Sequence, residues 1–386
     1  MRAALVGALA PVGCASSEKM GAAGTAGHGM AGGSAGNSAT AGVSGSAGTG
    51  AAGSTSGSGS AGSTSSNDGG AGQTSPFADA GAAPDAARGE VPMFVAAGNR
   101  FRRLISCDDG MTWIGDQMDT SSLDDESTGT RGLGYGDGLF VAATGGGGKT
   151  ARIFSSPDGL IWTLRVPISM YNGFSQVAYG NGFYVAGGGN VSIRSATGTD
   201  GWGELSSMGQ GGILRHMAFG GGKFVAVGGG RLEQSADALT WAPPDSGTCA
   251  GEQVDVVFGN GHFLAANNNG VTCLSSDGGM TWTNGTVGGG IRGLVWTGQD
   301  FLARGDTKTY RSPDGAAWTS TATTGMGPDL MAVSDKGTFA GVAGNVFYRS
   351  TDGLAWTKIN VPATSTSTFN RIVFGRGSRS SLCPGP

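Results

Sequence analysis

Ser275-Ser-Asp-Gly-Gly-Met-Thr-Trp282 carries the reading of this chain. Its chemistry is that of a tight hairpin turn. Asp277 accepts bonds from backbone N–H groups ahead of it, glycine supplies a positive φ, and Trp282 restarts a strand on an apolar surface. Ser106-Cys-Asp-Asp-Gly-Met-Thr-Trp113 has the same eight-residue form, with Asp108 and Gly110 in the turn. Ser156-Pro-Asp-Gly-Leu-Ile-Trp162, Ser312-Pro-Asp-Gly-Ala-Ala-Trp318 and Ser350-Thr-Asp-Gly-Leu-Ala-Trp356 are one residue shorter and carry Asp158, Asp314 and Asp352. Ser235-Ala-Asp-Ala-Leu-Thr-Trp241 keeps Asp237 but has lost its glycine, and Ser195 to Trp202 is degenerate. The seven Trp are separated by 49, 40, 39, 41, 36 and 38 residues, so the chain repeats itself seven times.

Three more short strands recur around each turn. The first reads like Gln176-Val-Ala-Tyr-Gly180, echoed by His216-Met-Ala-Phe-Gly220, Asp255-Val-Val-Phe-Gly259 and Arg371-Ile-Val-Phe-Gly375. The second reads like Phe183-Tyr-Val-Ala186 or Phe224-Val-Ala-Val227, and the third runs into the serine, as in Arg152-Ile-Phe-Ser155. With the Trp strand these make four antiparallel strands, A to D, in about 40 residues, and no amphipathic helical stretch interrupts them. The fold class is all-β: a seven-bladed β-propeller. Blade one begins at strand B (Phe94-Val-Ala-Ala97), while the chain finishes on an extra strand A, Asn370 to Gly375. The last strand therefore completes blade one and closes the ring, which removes an open sheet edge.

Composition sets the limits. Glycine supplies 77 of 386 residues, charged residues are 13%, and the formal net charge is −4. No basic footprint for nucleic acid exists, and no run of 18 apolar residues suits a membrane helix. From Gly21 to Ser75, 48 of 55 residues are Gly, Ala, Ser or Thr, with almost nothing apolar to offset ordering entropy. All eight Trp and fifteen of sixteen Phe lie beyond residue 92. The domains read as a signal peptide over 1–13, a disordered tether over 14–92 and the propeller over 93–386.

Met1-Arg2, the apolar Ala3 to Ala10 and the small residues before Cys14 describe a secretory signal. Gly13-Cys14 resembles the lipobox of bacterial lipoproteins, which implies cleavage before Cys14 and lipidation of its thiol. Pro11 stands where that family prefers leucine. The expected location is the outer membrane or cell surface, or secretion if Cys14 carries no lipid. Membrane contact is expected only through this anchor. The remaining cysteines, 107, 249, 273 and 383, suit two disulfides in an exported protein. Strands A and C of one blade run the same way. Cys107 ends strand C of blade one and Cys383 follows that blade's strand A; Cys249 precedes strand A of blade five and Cys273 lies early in its strand C. The pairs Cys107–Cys383 and Cys249–Cys273 follow.

Ser-x-Asp-x-Gly-x-Thr-Trp resembles the Asp-box, or bacterial neuraminidase repeat, of sialidase-like propellers. The full motif stands twice and five looser copies span the chain. In that superfamily the box is a structural turn on the outer rim, so the resemblance speaks for the fold more than for any activity. A sialidase-like glycoside hydrolase would need an arginine triad for a substrate carboxylate, a Tyr nucleophile helped by Glu, and an acidic proton donor. Arg131, Arg215 and Arg292 begin the A strands of blades two, four and six, and Tyr171 with Glu252 is the one plausible nucleophile pair. The Arg-Ile-Pro motif usual before the first box is replaced by Asn99-Arg-Phe-Arg-Arg103.

Two other motif matches fail on context. Ala143-Thr-Gly-Gly-Gly-Gly-Lys-Thr150 fits a loose phosphate-loop pattern, but a strand follows where a helix is needed. Gly32-Gly-Ser-Ala-Gly36 fits a nucleophile elbow but lies inside the tether. The channel mouth offers more. Large apolar residues at the third and fifth positions of strand A are expected to pack between blades, leaving the second and fourth to the channel. The second positions are Gly132, Gln176, His216, Asp255, Gly293, Leu330 and Arg371, so Gln176, His216, Asp255 and Arg371 converge on one mouth. One His with one Asp is too few for zinc, and neither a metal nor a cofactor is expected. The reading is a monomeric, non-catalytic binding module for a surface glycan or envelope protein, with a sialidase-like hydrolase as the alternative.

Overall fold

The computed structural model describes residues 89–118, 129–145, 150–169, 173–203, 205–209, 211, 213–249, 251–253, 255–323, 326–361 and 365–383. The signal peptide, Cys14, the tether up to residue 88, and Tyr171 lie outside them. Seven antiparallel sheets follow one another as the blades of the propeller. Their innermost strands, A, are Thr130–Gly136, Gln176–Gly180, His216–Gly220, Asp255–Gly259, Gly293–Trp296 and Leu330–Val333 in blades two to seven. Blade one takes its strand A from the chain's end, Phe369–Ser378.

That last strand pairs antiparallel with Glu90–Gly98, from Glu90↔Ser378 to Ala97↔Arg371. The first strand thus starts at Glu90, three residues before the expected propeller boundary at Met93, with Pro92 opposite Arg376. Arg102 locks the same junction and is 2% exposed. Its guanidinium forms a two-pronged pair with Asp116 at 2.7 Å, donates to the carbonyls of Ser365 and Ser367, and stacks 4.7 Å over the Phe369 ring. Cys107–Cys383 fastens the closure covalently, and Cys249–Cys273 is the second disulfide.

Blade four departs from the four-strand plan and, among the described residues, has three strands. Its expected strand D reduces to a single bridge, Ala242 to Gln234. Pro243 and Pro244 follow at once, and proline has no N–H to extend a ladder. The chain instead crosses to blade five: Asp245 donates to the carbonyl of Met280, and Trp282 donates to that of Ser246. Cys249–Cys273 pins this crossing segment.

Two repeated contacts join the blades, and both explain why glycine recurs in phase. In five blades the glycine after the strand A aromatic lies under the aromatic of the next blade. A Cβ on Gly180 would stand 2.1 Å from the Phe219 ring, on Gly220 2.0 Å from Phe258, and on Gly259 2.1 Å from Trp296. The same aromatics stack within their own blade on an aromatic of strand B, as in Tyr179–Tyr184 at 4.5 Å and Phe258–Phe263 at 4.8 Å.

The Ser-Asp-Gly turns make the second contact. Serine Oγ donates to the aspartate at 2.8–3.0 Å in six turns, for example Ser275 to Asp277 and Ser312 to Asp314. The aspartate then accepts the backbone N–H groups two to four residues on, as Asp352 does from Leu354 and Ala355. Each glycine of the turn faces strands B and C of the preceding blade: Gly159 meets Val95 and Ile105, and Gly315 meets Leu264 and Leu274. The turn that lost its glycine still adopts the left-handed backbone, with φ +57° at Ala238. Its methyl is fully buried.

Candidate ligand site in the central channel

The residue at the second position of every strand A lines one cavity of about 140 Å³ at the centre of the ring. Gln176, His216, Asp255 and Arg371 are its polar members at that level, with Gly132, Gly293 and Leu330 between them. Third-position side chains, among them Val177, Met217 and Met331, line it as well. Alternation along strand A therefore does not divide channel from interior. Successive side chains point toward the two neighbouring blades, and both sets reach the cavity where the blades converge.

The two glycines have a steric role. A Cβ on Gly132 would stand 2.7 Å from the backbone of Gln176, so blades two and three touch there. The bare position lets the Arg371 guanidinium of blade one reach past blade two, and its Nη2 donates to the carbonyl of Ser175 in blade three at 3.2 Å. Its Nη1 donates to the carbonyl of Asn370 at 2.8 Å. Burial pushes the Arg371 pKa down to about 10, Asp255 counteracts this, and Arg131 adds to it. The guanidinium stays charged at neutral pH.

Asp255 accepts the N–H of Val256 and stands 3.5 Å from Nδ1 of His216. Gln176 is 4% exposed, and neither its Nε2 nor its Oε1 has a hydrogen-bond partner in the protein. Sequence reasoning did not single out Ser175 and Asp329, which also line the cavity. Their signal was available, since both stand at the same offset before strand A as Arg215 and Arg292.

The arginine triad comes together poorly. Of Arg131, Arg215 and Arg292, only Arg215 lines the cavity. Arg215 pairs with Glu252 at 3.1 Å, which occupies the very carboxylate assigned to help a nucleophile. Arg292 pairs with Asp306 at 2.7 Å, and the hydrogen bond with its charge raises the arginine pKa. The glycine-rich stretch around Gly145 joins strand B, Leu139–Thr144, to strand C, Thr150–Ser156, so no helix follows it. Among the described residues no group of three or more His, Cys, Asp or Glu side chains is placed to hold a metal ion. No described helix is long and apolar enough to cross a membrane.

No protein-family model matches the sequence, and no curated protein does. The fold has solved counterparts at low identity. A streptogramin B lyase superposes with a TM-score of 0.53 at 11% identity, over 73% of this chain and 91% of that one. Virginiamycin B lyase from Staphylococcus aureus gives 0.50 at 11%, over 62% and 87%. AztD from Citrobacter koseri gives 0.50 at 12%, over 75% and 99%. At such identities these likenesses establish the fold alone. The chain is a seven-bladed β-propeller whose two disulfides indicate an oxidising compartment outside the cytoplasm.

Proposed function

We propose that this chain is an exported, lipid-anchored propeller that binds a surface glycan or envelope protein at its central channel without processing it. The observation that carries the reading is the cavity itself, where Gln176, His216, Asp255 and Arg371 meet from four blades. Cys14 would hold the anchor. A tether of 79 residues, 14–92, reaches roughly 50 Å on average at about 5–6 Å times the square root of its length, enough to present the domain away from a membrane. The Asp-box likeness of the turns accords with a scaffold whose rim is structural and whose channel is free for recognition.

The test is retention on the immobilised full chain of purified envelope polysaccharides and envelope proteins. Retention that disappears in Asp255→Asn and His216→Ala supports the reading, and absence of any retention overturns it. The competing hydrolase reading requires Arg215 to leave Glu252 for a substrate. Turnover of a fluorogenic sialoside that is lost in Arg215→Ala would favour it instead.

A further inference from the structure

Strand direction divides the propeller into two faces. Each strand A begins at the channel mouth, beside residues such as Ser175, Arg215 and Asp329, and runs to the opposite face. Strand C runs the same way, so every Ser-Asp-Gly turn lies on that opposite face. The chain joins the ring there too, because Glu90 pairs with Ser378 at the far end of the closing strand. Residues 1–88 therefore enter on the turn face, away from the mouth.

The turn face carries large apolar side chains that the turns do not require. Met111, Leu239 and Met280 stand two residues before the Trp of their turns and Ile161 stands one before, and they are 55%, 42%, 38% and 69% exposed. Leu382, 50% exposed, is held at the turn of blade one by the Cys107–Cys383 bond. Blade six has Ala316 and Ala317 at the equivalent places and makes the same bonds to its aspartate, so the turn forms without a large side chain. The backbone at these tips is already satisfied. The N–H groups of Ile161, Leu239 and Met280 donate to the turn aspartates at 2.8, 2.9 and 3.1 Å, so the tips lose little by leaving water.

We infer that this rim is a lipid-docking surface: Met111, Ile161, Leu239 and Met280 dip into the interfacial zone of the bilayer that holds Cys14, with the channel mouth turned away from it. The inference rests on the anchor reading above and needs nothing from the ligand of the channel. The chain from Cys14 enters on this face, so anchor and rim share a side. A tether of that length holds the rim at an effective concentration on the order of 1 mM beside its own bilayer, where shallow apolar contact is enough. The tips are spread over blades one, two, four and five, which suits a flat surface better than a single peptide or helix. Charge selects the lipid. Asp108, Asp237, Asp277, Asp314 and Asp352 are held ionised by their bonds in the turns, so a zwitterionic surface accepts the rim and an anionic one repels it.

Methionine oxidation by dilute hydrogen peroxide, followed by mass spectrometry, reads this docking. Met111 and Met280 lie on the rim, whereas Met326, 79% exposed, lies on the mouth side in the connection to strand A of blade seven. The lipidated full chain on vesicles of phosphatidylcholine and phosphatidylethanolamine is compared with the full-length Cys14→Ser chain in solution. On vesicles Met111 and Met280 are expected to oxidise about threefold to tenfold more slowly, with Met326 unchanged. Ile161→Asp with Leu239→Asp restores their oxidation, while that chain still floats with the vesicles and melts at the same temperature. Exchanging half of the phosphatidylcholine for phosphatidylglycerol weakens the protection; protection that strengthens instead overturns the proposal. Equal oxidation of all three methionines on a floating chain overturns the docking and leaves the anchor reading standing. Protection in the Cys14→Ser chain that grows with protein concentration assigns the rim to a second copy and also overturns it. A full chain that does not float with vesicles carries no anchor, and both readings fall.

Discussion

Replacing both cysteines of the closing clasp, Cys107→Ala with Cys383→Ala, should cost far more stability than replacing Cys249 and Cys273. The two disulfides have nearly equal Cα separations, 5.7 and 5.6 Å, but bridge very different lengths of chain, 276 and 24 residues. A cross-link stabilises chiefly by restricting the unfolded chain, and the restriction grows with the logarithm of the loop. The chain-entropy relation gives about 5–6 kcal/mol for the clasp and about 3.5 kcal/mol for the other bridge. The clasp also holds the terminal strand against Glu90–Gly98, so its loss frees the one blade built from both ends of the chain. The gap of about 2 kcal/mol corresponds to roughly 3–4 °C in a domain of this size, at about 2.1 cal/mol/K of unfolding entropy per residue. Differential scanning calorimetry of the two double variants, with tryptophan fluorescence as a second probe, measures it directly. If the Cys107/Cys383 variant melts at or above the Cys249/Cys273 variant, loop length is not what the clasp contributes.

Three further outcomes are expected. Gly180→Ala places a methyl 2.1 Å from the Phe219 ring and should cost about 3 kcal/mol, whereas Gly182→Ala, with open space around it but φ +74°, should cost about 1 kcal/mol; urea midpoints compare them, and equal losses would deny the steric role. Arg102→Met leaves the Asp116 carboxylate without its guanidinium and should cost about 3–5 kcal/mol, with Arg102→Met/Asp116→Leu recovering part of it in the same denaturation assay. Backbone N–H groups hold the carboxyls of Asp237 and Asp314 below their usual range; on Asp108 and Asp277 the hydroxyls of Thr112 and Thr281 with backbone N–H groups, and on Asp352 backbone N–H groups, outweigh the upward push of burial. Groups depressed in the folded state contribute stability above their unfolded pKa of about 4 and lose it as pH falls through the folded value. Melting temperature should therefore hold from pH 7 to 5 and drop below pH 4, and a flat profile down to pH 3 would contradict this.

The turns made the architecture legible because their chemistry is local. Serine, aspartate and glycine satisfy one another within a few residues, so Ser275 to Trp282 announces a hairpin without any distant partner. Counting those hairpins, and noticing that the first blade lacks a strand A which the chain's end supplies, was enough to close the ring and to pair the four cysteines. Blade four's short strand count was legible too, in Pro243 and Pro244, but the periodicity of its neighbours masked it.

The site was half legible. Register along strand A placed Gln176, His216, Asp255 and Arg371 at one level, because one residue per blade recurs at the same position. Sequence could not say that Arg371 reaches across Gly132 to Ser175, that Arg215 is engaged by Glu252, or that the Gln176 amide is left without a partner. Those are contacts between residues 37 to 196 positions apart, decided by how closely neighbouring blades approach at the axis. Sequence by itself determined seven hairpin units and a closing strand, since each rests on bonds made within one repeat. Only the tertiary structure decided which polar groups at the centre are neutralised and which are left without a partner, because burial and charge there belong to the whole ring.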